Sequence, residues 1–385
     1  MNYNFTEEQI DLQLMTREFV KKEIIPIAAE YDKKGEFPMA VFKKAVDMGL
    51  TCMDLPEEWG GAGIDLLTTA LLREELSYGD AGLSSAIGAN GLGFKPINFA
   101  GTEAQKKRYA EVVTGGGLLA LGLTEPNAGS DVASNTTTAV KKGDKYILNG
   151  RKCFITNAPI ADIITIFAVT DKTLGSKGFS MFMVEKGTPG LSTGQHEDKL
   201  GIRTSLTSDV ILEDCEIPES ALIGREGDGF KIVMQTLDKG RVCAGASALG
   251  VARAALEHAI RYSQERVQKG KPICKHQIIQ AKLADMGMRY EAARQLVWRA
   301  AMAFDAEAGD TAKLASMCKC FAGDMVVNVA TEALQIHGGY GFSRDYPMEK
   351  LYRDAKIFQI FEGTNEIQRT IIARNMIDEQ KIKTR

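Results

Sequence analysis

The chain has 385 residues, 44% hydrophobic and 25% charged, an ordinary globular composition with length enough for two or three domains. A formal net charge of −3 leaves no basic excess for nucleic-acid phosphates, and no run of eighteen apolar residues exists to span a membrane. Seven dispersed cysteines without a C-x-x-C pair read as free thiols in a reducing compartment, and the four histidines lack a second ligand at metal spacing, so no metal site is expected.

The start, "MNYNFTEEQI", is polar and acidic, unlike a signal or transit peptide, and a bacterial cytoplasmic location is expected. Thr6 with Gln9 fits a capping box, and Ile10, Leu14, Phe19 and Ile24 begin a helical apolar stripe that should be interrupted at Pro26. The glycine-rich "LPEEWGGAGID" (55–65) connects to the helical "LLTTALLREELSYGD", and Thr102 with Gln105 repeats the capping signature. From Leu119 to Ile223 the texture changes to short β-type runs: a hairpin in "TTTAVKKGDKYILNG", then "DIITIFAVTD", "GFSMFMVEKG" and "SDVILEDCEIP". Their spacing suggests a compact barrel or sandwich. From Gly229 onward the pattern is helical again, with residues 276–309 of bundle length. The expected plan is an N-terminal helical domain (1–118), a central β-barrel-like domain (119–228) and a C-terminal four-helix bundle (229–385), the two helical parts able to share one core.

Several stretches invite both a chemical and a plain reading. "LTEPNAGSD" (123–131) offers backbone N–H groups and small hydroxyls suited to phosphate or polar ring edges, or is a turn between strands. "FITNAP" (154–159) holds a strand-end threonine that could face a ligand or solvent. Arg241 and Arg266 could each fork onto an anion, or sit on a solvated helix face. "QIHGGYGF" (335–342) places glycines at a helix end, where a ligand can touch backbone; no strand leads into it, so it is no dinucleotide fingerprint. Cys318 and Cys320 read as packing. In "DAKIFQIFEGTNEIQRTII" (354–372), Glu362 sits against two phenylalanines and before Gly363. It reads either as the cap of a following helix or as a desolvated base.

Together, "LTEPNAGSD", "GRKCFITN", "LDKGR", "ERVQKGKP", "QIHGGYGF" and "YRDAKIFQIFEGTNEIQR" resemble, in order and spacing, the acyl-CoA dehydrogenase family. The likeness covers essentially the whole chain and is closest to the medium-chain and butyryl branch, through "EIIPIAAEYDKKGEFP" and "RDAKIFQIFEGT". The resemblance implies an FAD enzyme that turns an acyl-CoA into the trans-2-enoyl-CoA. Glu362 is then the base for the α-proton, the β-hydrogen leaves as hydride to flavin N5, and electrons pass to an electron-transfer flavoprotein. It also implies roles position by position. Leu123, Thr124 and Ser130 lie along the flavin, Ser130 also reaching the CoA side, and Phe154, Ile155 and Thr156 lie against the ring. Asp238 and Arg241 contact CoA, and Gly363 holds the thioester carbonyl. Arg266, His276, Gln277, Gln335, Gly338 and Gly339 match FAD contacts that cross between subunits, with Thr364 and Glu366 on the adenosine-diphosphate side. A homotetramer built as a dimer of dimers follows.

Three departures stand out. Other branches carry the base where this chain has Gly240, Phe361 replaces a frequent tyrosine, and Lys269 replaces the phenylalanine of R-x-x-F-G. The acyl-pocket segment, 84–97, is rich in small residues (Gly88, Ala89, Gly91, Gly93), which suggests a short, medium or bulky acyl group. No arginine stands in that segment, which weighs against a distal carboxylate; Lys95 is its one cation. The alternatives are the same site run as an enoyl-CoA reductase, or a flavin-binding scaffold without turnover.

Overall fold

The computed structural model describes residues 5–383. The N-terminal helices are α1 (Glu7–Phe19), α2 (Ile25–Lys34), α3 (Met39–Asp47), α4 (Leu66–Gly79), α5 (Ala81–Ala100) and α6 (Glu103–Thr114). Both capping boxes form: the Thr6 and Thr102 hydroxyls accept from the backbone of Gln9 and Gln105, whose side chains accept in return. The stripe is not interrupted at Pro26. A π-helical turn, Val20–Ile24, joins α1 to α2, and Pro26 falls in the first turn of α2, where a missing N–H costs nothing. Only the distal part of the stripe is core: Phe19 and Ile24 are buried, whereas Ile10 and Leu14 are exposed.

Strands β1 (Leu119–Gly122), β2 (Thr138–Lys142), β3 (Lys145–Thr156), β4 (Ile163–Val169), β5 (Phe179–Glu185), β6 (Leu191–Thr193), β7 (Thr207–Pro218) and β8 (Leu222–Ile223) follow. The expected hairpin is β2–β3, turning at Gly143 with φ +64°. The order is β6-β7-β3-β2-β4-β5-β8, with β1 parallel to β4. The path ends on the short strands β6 and β8, so the barrel-like expectation resolves into an open sheet. Its two faces serve two cores. Along β4, Ile164, Ile166 and Ala168 pack with Tyr146, Leu148 and Phe182, while Ile163, Phe167 and Val169 pack with Phe94 and Ile97 of α5 and Tyr109 and Val113 of α6. Every β4 residue is therefore buried, which is why its sequence is a near-continuous apolar run, broken only by Thr165, rather than an alternation.

The chain then forms α7 (Gly229–Glu265), a two-stranded ribbon of β9 (Val267–Gln268) and β10 (Lys271–Pro272), α8 (Gln277–Asp305), α9 (Thr311–His337), α10 (Met348–Ala355) and α11 (Asn365–Lys383). The two helical parts share one core: Ala70 of α4 and Ala81 of α5 join Val242, Leu249, Met286, Val297, Val326 and Phe358. Close approach of α4 and α7 is set at Gly250, where an added Cβ would overlap the Glu74 carbonyl oxygen and lie 2.7 Å from the Tyr78 nitrogen. Beside it, Arg253 reaches Glu75 at 2.7 Å and Glu74 at 3.4 Å, Arg17 of α1 reaches Glu75 at 2.7 Å, and the Tyr290 hydroxyl of α8 donates to Glu74 at 2.7 Å.

Glycine-to-alanine exchange inside a helix ordinarily stabilises, by up to about 1 kcal/mol. At Gly250 the sign should reverse: Gly250→Ala forces α4 and α7 apart and should lower stability by about 1–3 kcal/mol. Denaturant midpoints of the two proteins measure this; an unchanged or raised midpoint would remove the close contact from the account.

Candidate active site

Glu362 does not cap α11. It lies between a 3-10 turn, Lys356–Gln359, and that helix, with φ +57°, and the Thr364 hydroxyl accepts the Ile367 N–H instead. Its carboxylate atom Oε2 is buried and has no hydrogen-bond partner among the described residues. The place is made by a glycine: a Cβ on Gly240 of α7 would stand 2.8 Å from that oxygen and 3.0 Å from Leu92 of α5. Gly240 carries no ionisable group itself and makes room for the Glu362 carboxylate. Burial raises the Glu362 pKa above the carboxylate range, and Arg241, Lys95 and Lys319 each pull it back.

The backbone beside Glu362 is clamped. Gln368 Nε2 donates to the Glu362 and Gly363 carbonyls at 3.0 and 3.1 Å, and Lys319 Nζ donates to the Gly363 carbonyl at 2.7 Å and to Asn365 Oδ1 at 2.9 Å. A planar trans peptide points its N–H opposite its carbonyl. Holding the Glu362 carbonyl therefore aims the Gly363 N–H away from Gln368, and among the described residues nothing accepts it. Gly363 has φ +87°, and a Cβ there would meet Gln368 Nε2 at 2.6 Å, so only glycine fits. Burial lowers Lys319 to about 8. It stands between Cys318 and Cys320, both buried, and nothing in that sequence marked it as part of the site.

The β domain brings a second group of predicted residues together. Leu123 and Thr124 follow β1, and the Thr124 carbonyl accepts the Cys153 N–H at 2.9 Å, so the 123–131 loop lies along the end of β3. Pairing of β3 with β7 slips between Lys152 and Ile155, where Phe154 takes φ +57° and is 66% exposed. Ile155 is buried, Thr156 half-buried and Ser130 exposed. Beneath them lies a buried ion pair that sequence reasoning missed: Lys152 Nζ to Glu125 Oε1 at 2.8 Å and to Asn135 Oδ1 at 2.7 Å. Burial opposes ionisation of both. It lowers Lys152 to about 8, whereas Lys152 and the Thr136 and Thr137 donors hold Glu125 down to about 2. Asn157, the next residue after β3, donates to the Ala86 carbonyl of α5 at 2.9 Å and to the Leu119 carbonyl at 3.0 Å. It fixes the strand end to the helix that also carries Leu92.

A third group surrounds a cleft of about 930 Å³ lined by Arg266, Lys269, His276, Ile278, Gly338 and Gly339, among others. Lys269 and Gly270, with φ +51° and +75°, form the tip of the β9–β10 ribbon, and the Arg266 guanidinium lies 5.5 Å from the centre of the Tyr340 ring. Gln277 and Gln335 are exposed. None of the residues around Glu362 or Phe154 lines this cleft. Thr364 and Glu366 sit at the start of α11, the first as its cap, the second exposed. On α7, Asp238 and Arg241 form an ion pair with the guanidinium buried and its Nε unpartnered.

A planar cofactor fits this arrangement. Phe154 presents an exposed aromatic ring at the strand end, and the orphaned Glu362 oxygen is buried beside α7. The chain matches three family profiles in series: "Acyl-CoA dehydrogenase, N-terminal domain" over residues 6–116, "Acyl-CoA dehydrogenase, middle domain" over 120–215, and "Acyl-CoA dehydrogenase, C-terminal domain" over 227–377. A Bacillus subtilis protein named acyl-CoA dehydrogenase is 47% identical over 97% of this chain and 98% of its own length. Butyryl-CoA dehydrogenase from Megasphaera elsdenii superposes with a TM-score of 0.95 at 44% identity, covering 98% of this chain and all of the other. A chain of the structure described as "Electron transferring flavoprotein of Acidaminococcus fermentans: Towards a mechanism of flavin-based electron bifurcation" superposes with a TM-score of 0.96 at 46% identity, covering 98% and 99%. With three profiles in order along nearly its whole length and relatives this similar, the chain belongs to the acyl-CoA dehydrogenase family of FAD-dependent oxidoreductases.

Proposed function

We propose that the chain removes the α-proton and the β-hydride of an acyl-CoA thioester, giving the trans-2-enoyl-CoA, with Glu362 as the base. The observation that carries this is the pairing of a dry, unpartnered carboxylate oxygen with a free N–H on the next residue. A carboxylate in water, with a pKa of about 4.3, is a weak base toward a C–H bond. Burial strengthens it by withdrawing the water that stabilises its charge. As the proton leaves, charge grows on the thioester oxygen, and the Gly363 N–H is placed to bind it. A preorganised donor of this kind is worth about 3 kcal/mol in the transition state. Lys319 and Gln368 hold that donor in place.

FAD, when bound, supplies the acceptor for the hydride. Leu123, Thr124, Ser130, Phe154, Ile155 and Thr156 would hold it from the β domain, and Lys152 with Glu125 stiffens the platform under them. Arg266, His276, Gln277, Gln335, Gly338 and Gly339, with Thr364 and Glu366, would hold its adenosine part. In one chain the Arg266 cleft shares no residue with the Phe154 group, so these contacts support a site completed by a second copy. Phe342, 84% exposed, and the exposed Ile278 and Met288 give apolar surface for such contacts, consistent with a homotetramer. Asp238 and Arg241 are assigned to the CoA side. Likeness to a chain in an electron-transferring flavoprotein structure supports such a flavoprotein as the electron partner. A bacterial cytoplasm suits the relatives from Bacillus subtilis and Megasphaera elsdenii and the seven free thiols.

Titrating the yellow holoprotein anaerobically with saturated acyl-CoA thioesters should bleach the flavin band; a protein that takes up FAD and is bleached by none of them contradicts the assignment. Glu362→Gln should keep its FAD and lose about 10³-fold in kcat. Retention of more than a tenth of the activity would pass the role to another group. The base acts unprotonated, so a raised pKa makes kcat/KM fall on the acid side at a pH above the ordinary carboxylate value of about 4.3. Arg241 pulls that pKa down, and Arg241→Gln should move this acid limb to higher pH. A limb that stays in place, or moves down, separates Arg241 from the base.

A further inference from the structure

The wall of the acyl pocket is not simply a row of small residues. Gly88, Gly91, Leu92 and Lys95 share one face of α5, being three and four residues apart. Leu92 borders the place occupied by Glu362. At Gly88, about 6 Å further along the helix, a Cβ would meet the guanidinium of Arg73, 2.7 Å from Nη1 and 3.2 Å from Nη2. At Gly91 it would meet Lys95 Nζ at 3.1 Å and Asp54 Oδ2 at 3.4 Å. Cationic side chains thus occupy the space beside two of the small residues. Arg73 arrives from α4, outside the segment in which an arginine was sought. Gly93, by contrast, is needed for packing, a Cβ there lying 2.8 Å from Leu119.

The charges do not balance. Lys95 is paired with Asp54 at 3.0 Å. Arg73 is 6% exposed, donates through Nη1 to the Ser84 carbonyl, and among the described residues has no carboxylate within ion-pair distance and no partner for its buried Nε. Around the pocket, the cations Arg73, Lys95, Arg241 and Lys319 stand against the carboxylates Asp54, Asp238 and Glu362. Cys243, one turn beyond Gly240 on α7, feels Lys95, Arg73, Asp54 and Glu362 and contributes no charge, since burial raises its thiol pKa. A buried guanidinium with one neutral partner is costly unless an anion completes it.

We propose that Arg73, with Lys95, binds a carboxylate at the far end of the acyl group, so that the substrate is a CoA thioester of a short dicarboxylic acid. This rests on the dehydrogenase reading above and specifies its substrate class. The thioester carbonyl lies at Gly363, the α-carbon at Glu362, and the terminal carboxylate about one helical turn along α5, where the excess positive charge is. A planar, forked guanidinium suits a carboxylate by two parallel hydrogen bonds, which an alkyl end cannot accept. An alkyl end there would leave Arg73 without an anion.

The test compares, in the holoenzyme, kcat/KM and anaerobic flavin bleaching for paired thioesters of similar length: butyryl-CoA and hexanoyl-CoA against succinyl-, glutaryl- and adipyl-CoA. The wild-type protein should prefer at least one carboxylated thioester over its uncharged counterpart. In Arg73→Leu the ratio of the two kcat/KM values should fall by about thirty-fold or more, chiefly through KM, and Arg73→Lys should restore part of it. Preference for the uncharged thioesters by the wild-type protein overturns the proposal and leaves Glu362 as base intact, and this comparison needs no variant to fold. A ratio unaffected by Arg73→Leu overturns it as well. Failure of every thioester to bleach the flavin overturns both readings.

Discussion

The contact between α4 and α7 is the constraint on which the site depends. Gly250 lets the two backbones touch, and the flanking charges Glu74, Glu75, Arg253 and Arg17, with the Tyr290 hydroxyl, tie four helices to that line. Burial would push Glu75 toward its neutral form, but hydrogen bonds from Arg17 and Arg253 outweigh it and hold the carboxylate below its usual range. Such a cluster is a poor source of net stability, because desolvation consumes most of the Coulomb gain. Its value is register. On α4, Ser77 also abuts Gly250 and Arg73 lies one turn before it, and Gly240 lies on α7 with Gly250, so a slip of either helix would shift Arg73 and Gly240 against Glu362.

Glu362 shows how a carboxylate oxygen is kept dry and yet available. Full isolation would protonate it, since burial opposes the charge; three cations within electrostatic reach limit the rise. None of them hydrogen-bonds Oε2, so the charge is moderated without the lone pairs being occupied. Lys319 illustrates the division of labour. It lies close enough to be felt by Glu362, yet its own hydrogen bonds go to the Gly363 carbonyl and Asn365, fixing the backbone donor rather than neutralising the base.

Much of this was legible in the sequence. Capping boxes are local and short-range, and both formed; β4 was legible as a short β-branched apolar run and α8 through its helical period. Pro26 misled because a π turn ahead of it absorbs the missing donor, a backbone adjustment with no side-chain signature. Glu362 read as a possible cap until its φ of +57° and the Thr364 bond placed the helix start two residues later. Arg73, Lys152 and Lys319 were missed for one reason: each is a cation in a helical or strand pattern, where the ordinary expectation is a solvated face. Only the fold shows that they are buried, and beside what.

The β domain can be inserted between two helical parts without loosening the site because its entry and exit are held together. Gln105 of α6 donates to the Ser220 and Leu222 carbonyls at 2.8 and 2.9 Å, joining the helix before the insertion to the strand that ends it. Asp162, just before β4, accepts the Leu118 N–H at 3.0 Å at the domain's first residues. Asn157 adds a third tie, from the end of β3 to α5. Three such points define a plane, so the exposed Phe154 edge has a fixed distance and angle to the helix that carries Leu92 and Gly88. In the proposed reaction a hydride would pass between a cofactor held from the sheet and a carbon held against the bundle, and reaction rates fall steeply with small misplacements. The ties at 105, 157 and 162 make no contact with the Glu362 carboxylate, yet they set the geometry that it needs.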